Sequence, residues 1–194
     1  MFAIGFLENV RGTHVLEGER IFLRHPQFSD HEAWSQLRRE SREFLQPWEP
    51  TWHRNDLGRY AFRERIKSNQ RDIKQGRSLP YLIFSQDQEQ LLGGITLGHI
   101  RRGVSQSAQI GYWLGEGHVR RGYMREALGL LANHAFTRCG LHRLEAACIP
   151  ENVRSSRLLQ ACDFHQEGTL RSYLKINGVW RDHILYARIN QNVI

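Results

Sequence analysis

An apolar, strand-like run, Ile110-Gly111-Tyr112-Trp113-Leu114, leads within a few residues into Gly117-His118-Val119-Arg120-Arg121-Gly122-Tyr123-Met124-Arg125-Glu126-Ala127-Leu128. No other stretch constrains the fold as tightly. Apolar positions recur at Met124, Leu128, Leu131 and Ala135, which is helical spacing, so a strand must turn into a helix near Val119 to Gly122. The first N–H groups of a helix have no internal partner, and its start is the positive end of the dipole. With Arg120 and Arg121 beside it, this turn is a candidate anion site. Gly122 has no side chain to keep a ligand from the backbone. The chemistry suits a pyrophosphate. Helix starts flanked by arginines also occur with no ligand, so the choice depends on the rest of the chain.

The order of elements narrows it. Glu19 to His25 alternates as a strand does, and Pro26 ends it. Ser29 with Glu32 reads as a capping box for a helix over Asp30 to Arg42. Phe44 to Pro50 reads as a proline-pinned loop, and Gly58 to Gln75 as a charged helix. Strands are expected at Leu79 to Gln86, Leu91 to Ile100 and Gln106 to Leu114. The helix from Gly122 to Cys139 follows, then a strand at His142 to Ile149 and a helix from Asn152 to Cys162. The last two strands, Thr169 to Ile176 and Val179 to Ile189, flank Asn177-Gly178, a strong hairpin signal. The pattern predicts an α+β (mixed α/β) fold, a central mixed sheet of about seven strands flanked by helices. With no linker or repeat, residues 1–194 read as a single domain.

The chain has 27 Lys plus Arg against 20 Asp plus Glu, a formal charge of +7. That favours phosphate-bearing partners such as a phosphorylated cofactor, nucleic acid or a ribosome surface, without choosing among them. Three cysteines without CxxC spacing argue against a disulfide framework or zinc site, and the ten histidines contain no HxxxH pair. No metal is expected, and a reducing cytoplasm is the simplest compartment. Phe2 to Leu7 is too short and lacks the basic flank of a signal peptide, and no apolar run approaches the length needed to cross a bilayer.

Downstream lies Pro150-Glu151-Asn152-Val153-Arg154-Ser155-Ser156-Arg157-Leu158-Leu159-Gln160-Ala161-Cys162-Asp163-Phe164. Asn152 is a good N-cap, and taken alone the segment caps and packs. Together the two segments resemble the GNAT superfamily of acyl-CoA-dependent N-acetyltransferases. The strand–turn–helix looks like its acetyl-CoA motif and the Asn-x-x-Ser-x-x-Leu-Leu helix like its second cofactor motif. The resemblance is closer to the RimJ-type ribosomal-protein alanine N-acetyltransferases. It rests there on Phe44-Leu45-Gln46-Pro47-Trp48-Glu49-Pro50, on Glu126-Ala127-Leu128, and on the tail Tyr173 to His183. It implies acetyl-CoA held between the strands at Gln106 to Leu114 and His142 to Ile149. Val119, Arg120, Arg121, Gly122, Tyr123 and Met124 would line the pyrophosphate. Ile110, Gly111 and Tyr112 would pair by backbone with the pantetheine arm, and Asn152 and Ser155 would touch the pantetheine or thioester. Val119 and Met124 depart from the family pattern, so the grip should come from backbone N–H groups and the two arginines; Asp163 stands where a glycine is usual before Phe164, which suggests a changed turn but not lost chemistry.

The implied reaction is attack of a neutral amine on the thioester, which needs a proton acceptor and stabilisation of the departing thiolate. Ser155 is the first candidate beside the sulfur, with Tyr112 and Tyr173 as alternative acids. The strand carries Gln109 and no carboxylate, so Glu49 is the first candidate base; it also reads as a plain surface carboxylate, and Trp48 as a packed aromatic. An α-amine of pKa about 7.8 is roughly a quarter neutral near pH 7.4, whereas a lysine of about 10.4 is only about 0.1% neutral, a difference of about 3 kcal/mol. That favours the N-terminal α-amine of a protein starting in Ala or Ser, a ribosomal protein foremost, with a small-molecule amine as the alternative. A different class also fits the charge: a non-catalytic module docking on ribosomes or RNA through Arg63, Arg65, Lys67, Arg71, Lys74 and Arg77. That run also reads as a solvated helix face.

Overall fold

The computed structural model describes residues 15–191; the apolar segment Phe2 to Leu7 lies outside them. One sheet of eight strands holds the order β1-β2-β3-β4-β5-β6-β8-β7. The strands are β1 (Val15–Glu17), β2 (Ile21–Arg24), β3 (Leu79–Ser85), β4 (Leu91–Arg101), β5 (Ser107–Leu114), β6 (Arg143–Cys148), β7 (His165–Ile176) and β8 (Val179–Ile189). The α-helices are α1 (His31–Glu40), α2 (Arg42–Leu45), α3 (Arg59–Lys74), α4 (Tyr123–Thr137) and α5 (Val153–Gln160). This is the mixed α/β architecture that the sequence pattern predicts.

Every residue of β3 is buried, as in a strand covered on both faces. Its alternation separates two cores. Tyr81 and Ile83 pack in the larger cluster with Met124, Ala127, Leu128, Leu131 and Ala135 of α4. Leu82 and Phe84 join Trp34 of α1 and Phe62 and Ile66 of α3 on the other face. The helical spacing of α4 therefore buries one stripe along its length.

All neighbouring strands are antiparallel except β5 and β6. Those two pair in parallel at only three positions: Ser107 with Arg143, Ala108 with Leu144 and Gln109 with Glu145. Beyond them β5 stays with β4, from Leu97↔Ile110 to Gly93↔Leu114. β6 stays with β8, from Ala146↔Tyr186 to Cys148↔Ile184. The sheet thus opens into a V, and the residues of β5 from 110 to 114 lie along one arm.

Several local expectations are corrected. The sheet gains β1, so eight strands stand where about seven were expected. The capping box is not Ser29/Glu32: a 3-10 turn at Phe28–Asp30 precedes α1, and Asp30 accepts from the Gln27 N–H at 2.7 Å. Arg24 also grips Asp30 through both Nη atoms, at 2.8 and 2.6 Å, and this buried fork outcompetes a surface serine cap. Phe44 to Pro50 is partly helical, through α2 and a 3-10 turn at Gln46–Trp48 that carries Pro47 in its first turn, where a missing N–H does no harm. β7 begins at His165, before the expected Thr169. The Asn177-Gly178 hairpin forms as expected, with φ of 44° and 85°. Its tip docks on the Glu49 loop: Asn177 N–H donates to the Glu49 carbonyl at 2.9 Å, and Gln46 Nε2 approaches Asn177 Oδ1 at 3.5 Å.

Candidate active site

The turn from β5 into α4 takes the form that a ligand-facing helix start requires. A 3-10 turn at Glu116–His118 leads to Val119 in extended conformation, then Arg120 at φ 63° and Gly122 at φ 82°. Two left-handed residues in four bend the chain sharply into α4. The first internal helix bond, Glu126 N–H to Gly122 carbonyl at 3.1 Å, leaves the N–H groups before it facing outward. Arg120, Arg121 and Gly122 are exposed. Met124 is buried at 5% exposure, so only its backbone can face a ligand. The turn is braced from the β1–β2 connection. Arg20 Nη1 donates to the Arg121 carbonyl at 2.9 Å. Its Nε and backbone N–H meet the Glu126 carboxylate at 3.1 and 2.9 Å. Arg20 thereby neutralises an acid in the first turn of α4.

The second segment meets the V. Asn152 Oδ1 accepts from the Ser155 N–H at 3.1 Å, the N-cap bond expected of it. That cap fixes the first turn of α5 and with it Ser155, whose Oγ lies 2.7 Å from the Tyr112 hydroxyl on β5. The two hydroxyls bridge the arms of the V. Burial pushes the Tyr112 phenol well above its ordinary value of 10.0, against the opposing hydrogen bond from Ser155. Asp163 keeps a left-handed conformation at φ 62°, so the turn that glycine would take without strain is preserved. The side chain of Gln109 donates to the Tyr173 hydroxyl at 3.2 Å, and Tyr173 packs edge-on against the His183 ring.

On the opposite side a groove of about 430 Å³ reaches Gly111 and Tyr112. Its walls come from α1, α3, the Glu49 loop and β3 to β5. Glu49 lines it, as expected of a candidate base. The carboxylate is not free, however. Arg38 grips it through both Nη atoms, at 2.9 and 2.5 Å, and Trp52 Nε1 donates to it at 2.8 Å. Arg38 in turn lies over the rings of Trp52 at 4.2 Å and Trp113 at 4.7 Å. Gly94 makes room for Trp113: a Cβ there would fall 2.6 Å from the indole nitrogen. Trp48 does not line this groove. Arg38 and Trp52 were missed in the sequence because nothing local marks them; the rigid Pro47-Trp48-Glu49-Pro50 run was the only hint that a partner was required.

The basic run along α3 and just beyond it divides. Lys67 pairs with Glu64 and Arg77 with Asp72, and Arg63 lies over Phe28. Arg65 instead lines the groove, over Trp34 at 5.3 Å. Among the described residues no group of three or more His, Cys, Asp and Glu is placed to hold a metal. None of their helices is long and apolar enough to cross a membrane.

This geometry is shared with known proteins. The sequence profile described as acetyltransferase (GNAT) domain matches residues 20–165. A probable N-acetyltransferase of Bacillus subtilis, YjcK, is 35% identical over 176 residues, 91% of this chain and 97% of its own length. The ribosomal protein uS5 alanine N-acetyltransferase of Escherichia coli is 31% identical over 160 residues, 81% of this chain and 82% of its own. Among solved structures, Mycobacterium smegmatis RimJ in complex with CoA-disulfide superposes with a TM-score of 0.85 at 32% identity, covering 93% of this chain and 87% of that one. With its V-shaped sheet, its left-handed turn into α4 and its capped Asn152 helix, this chain belongs to the GNAT acetyltransferase family.

Proposed function

We propose that the protein transfers an acetyl group from acetyl-CoA to the N-terminal α-amine of a protein starting in Ala or Ser, a ribosomal protein foremost, by direct attack in a ternary complex. The observation that carries this is the Tyr112–Ser155 hydrogen bond across the V, with Tyr112 also lining the groove that holds Glu49. Cofactor side and acceptor side therefore meet at one residue. Relatives named ribosomal protein uS5 alanine N-acetyltransferase and ribosomal-protein-serine acetyltransferase support a ribosomal-protein acceptor. The strands after residue 165 complete the same sheet, which supports reading residues 1–194 as one such domain. A cytoplasmic setting fits an acceptor made on ribosomes.

The pyrophosphate would lie on the backbone of Val119, Arg120, Arg121, Gly122, Tyr123 and Met124, with the pantetheine along Ile110, Gly111 and Tyr112 and beside Asn152. Glu49 removes the proton from the amine, directly or through water, as the N–C bond forms and the C–S bond breaks. Tyr112 and Ser155 face the departing sulfur. An ordinary thiol titrates near about 8.5, far below the buried phenol, so the proton stays on oxygen. The pair stabilises the thiolate by donating a hydrogen bond, not by giving up a proton.

Mass spectrometry of protein N-termini from cells with and without this protein tests the acceptor. Loss of acetyl groups from Ala- or Ser-starting proteins is expected. An unchanged set of N-termini, with purified protein that still binds acetyl-CoA, would move the acceptor to small amines. Titration calorimetry that shows no acetyl-CoA binding would end the enzyme assignment, and salt-sensitive RNA affinity without acetyl-CoA would then favour the docking module.

A further inference from the structure

The two arginines of the groove are not equivalent. Arg38 is engaged by Glu49 on both Nη atoms. Arg65 makes no ion pair or hydrogen bond with any described residue. Its contact is the face of Trp34 at 5.3 Å, and Arg38 meets the same ring at 5.9 Å. Helical spacing fixes Arg65 there. Phe62 and Ile66 are buried, and Phe62, Arg65 and Asn69, three and four residues apart, line the groove together. The other acid on the lining, Asp56, turns Oδ2 to the His53 N–H at 2.7 Å.

Arg65 stays exposed to solvent on the groove wall, so its guanidinium is accessible to a ligand entering from outside. A guanidinium resting on an aromatic face keeps its N–H fork free at the edge, and that fork matches a carboxylate in two parallel bonds. The groove thus offers a carboxylate, Glu49, to an amine and an unpaired guanidinium to something anionic beyond it. The +7 charge of the chain draws acidic partners in the same sense.

Resting on the identification of this groove as the acceptor site, we propose that Arg65 binds an acidic side chain near the N-terminus of the acceptor, so that the enzyme selects peptides with Asp or Glu within the first few residues after the reacting amine.

The test uses alanine-starting peptides that differ only in Glu, Gln or Lys at the second to fourth positions. Wild-type protein is expected to favour Glu over Gln by about tenfold in kcat/KM, the size of one hydrogen bond to a charged group. Arg65→Gln should bring that ratio close to one, and Arg65→Glu should shift preference to the Lys peptides. The N-acetylated products, titrated against the CoA-bound protein through the fluorescence of the groove tryptophans, should show the same ratio in Kd without turnover. CoA affinity of each variant monitors its fold. Equal handling of Glu and Gln peptides by wild type, or a preference that survives Arg65→Gln, overturns the proposal alone. If CoA binds but none of the peptides is acetylated or bound, the acceptor-groove assignment falls, and this proposal with it.

Discussion

Glu49 illustrates how a residue can be visible in a sequence while its setting is not. The proline-flanked loop singles it out, but its carboxylate is held by Arg38, eleven positions earlier on α1, and by Trp52. A carboxylate so fixed offers its remaining lone pair in one direction. Glu49→Gln should lower kcat by about 100-fold or more, the usual contribution of a positioned base, with CoA affinity nearly unchanged; steady-state kinetics beside calorimetry checks this. Arg38→Lys keeps the charge and loses the fork. It should lower kcat by about tenfold with KM for CoA unmoved, and an unaltered kcat would show that Glu49 does not need the fork. Tyr112→Phe should cost kcat about 100-fold, as loss of one preorganised donor does. Because burial keeps the wild-type phenol protonated, the shape of the rate–pH profile below about pH 10 should be the same in both proteins.

At the scale of elements, the two helix starts proposed for the cofactor side are built differently. α4 begins from a left-handed glycine, α5 from a side-chain cap. At Gly122 a Cβ would fall 3.0 Å from Arg20 Nη2, the mobile end of a long side chain. The strain of Gly122→Ala therefore comes mainly from φ 82°, worth about 1–2 kcal/mol. It should raise the Kd for CoA by about tenfold, measured by calorimetry. Asn152→Ala removes a cap worth about 1 kcal/mol, seen as a lower denaturation midpoint. If the CoA Kd stays put, Asn152 is a cap and nothing more. Both starts were legible because capping and strand-to-helix turns are local in sequence. β1 was not: three residues leave no period to read, and it exists because β2 offers it a partner. The Ser29/Glu32 capping box failed because Arg24, on another element, chose Asp30. The Glu49 loop and the Asn177-Gly178 turn were each visible, but their contact across 128 positions, closed by one backbone bond, was not. Arg65 likewise sits unmarked in a basic run, since only tertiary packing places one exposed arginine of that run on a groove wall.

For the molecule as a whole, groups whose acidity burial weakens set its tolerance of alkali, the Cys162 thiol among them. Burial raises the Tyr81 and Tyr112 phenols and pushes the Cys139 thiol from 9.0 up to about 11. Each is neutral when protonated and held so by the fold, so its folded value exceeds its unfolded one. Their contribution is fully present below about pH 9 and is lost as pH rises, between 9.0 and about 11 for Cys139 and above 10.0 for the tyrosines. Melting temperature should therefore fall through that window, and Cys139→Ala should flatten the slope between pH 9 and about 11 even if it melts lower throughout. The V has a further consequence. Five strands lie on one side of it and three on the other, joined by strand-to-strand bonds at one end only. Every second amide of residues 110–114 points away from β4 toward a gap, without a strand to bond. Those amides should exchange with deuterium far faster than their buried neighbours, and slow sharply when CoA supplies the missing strand.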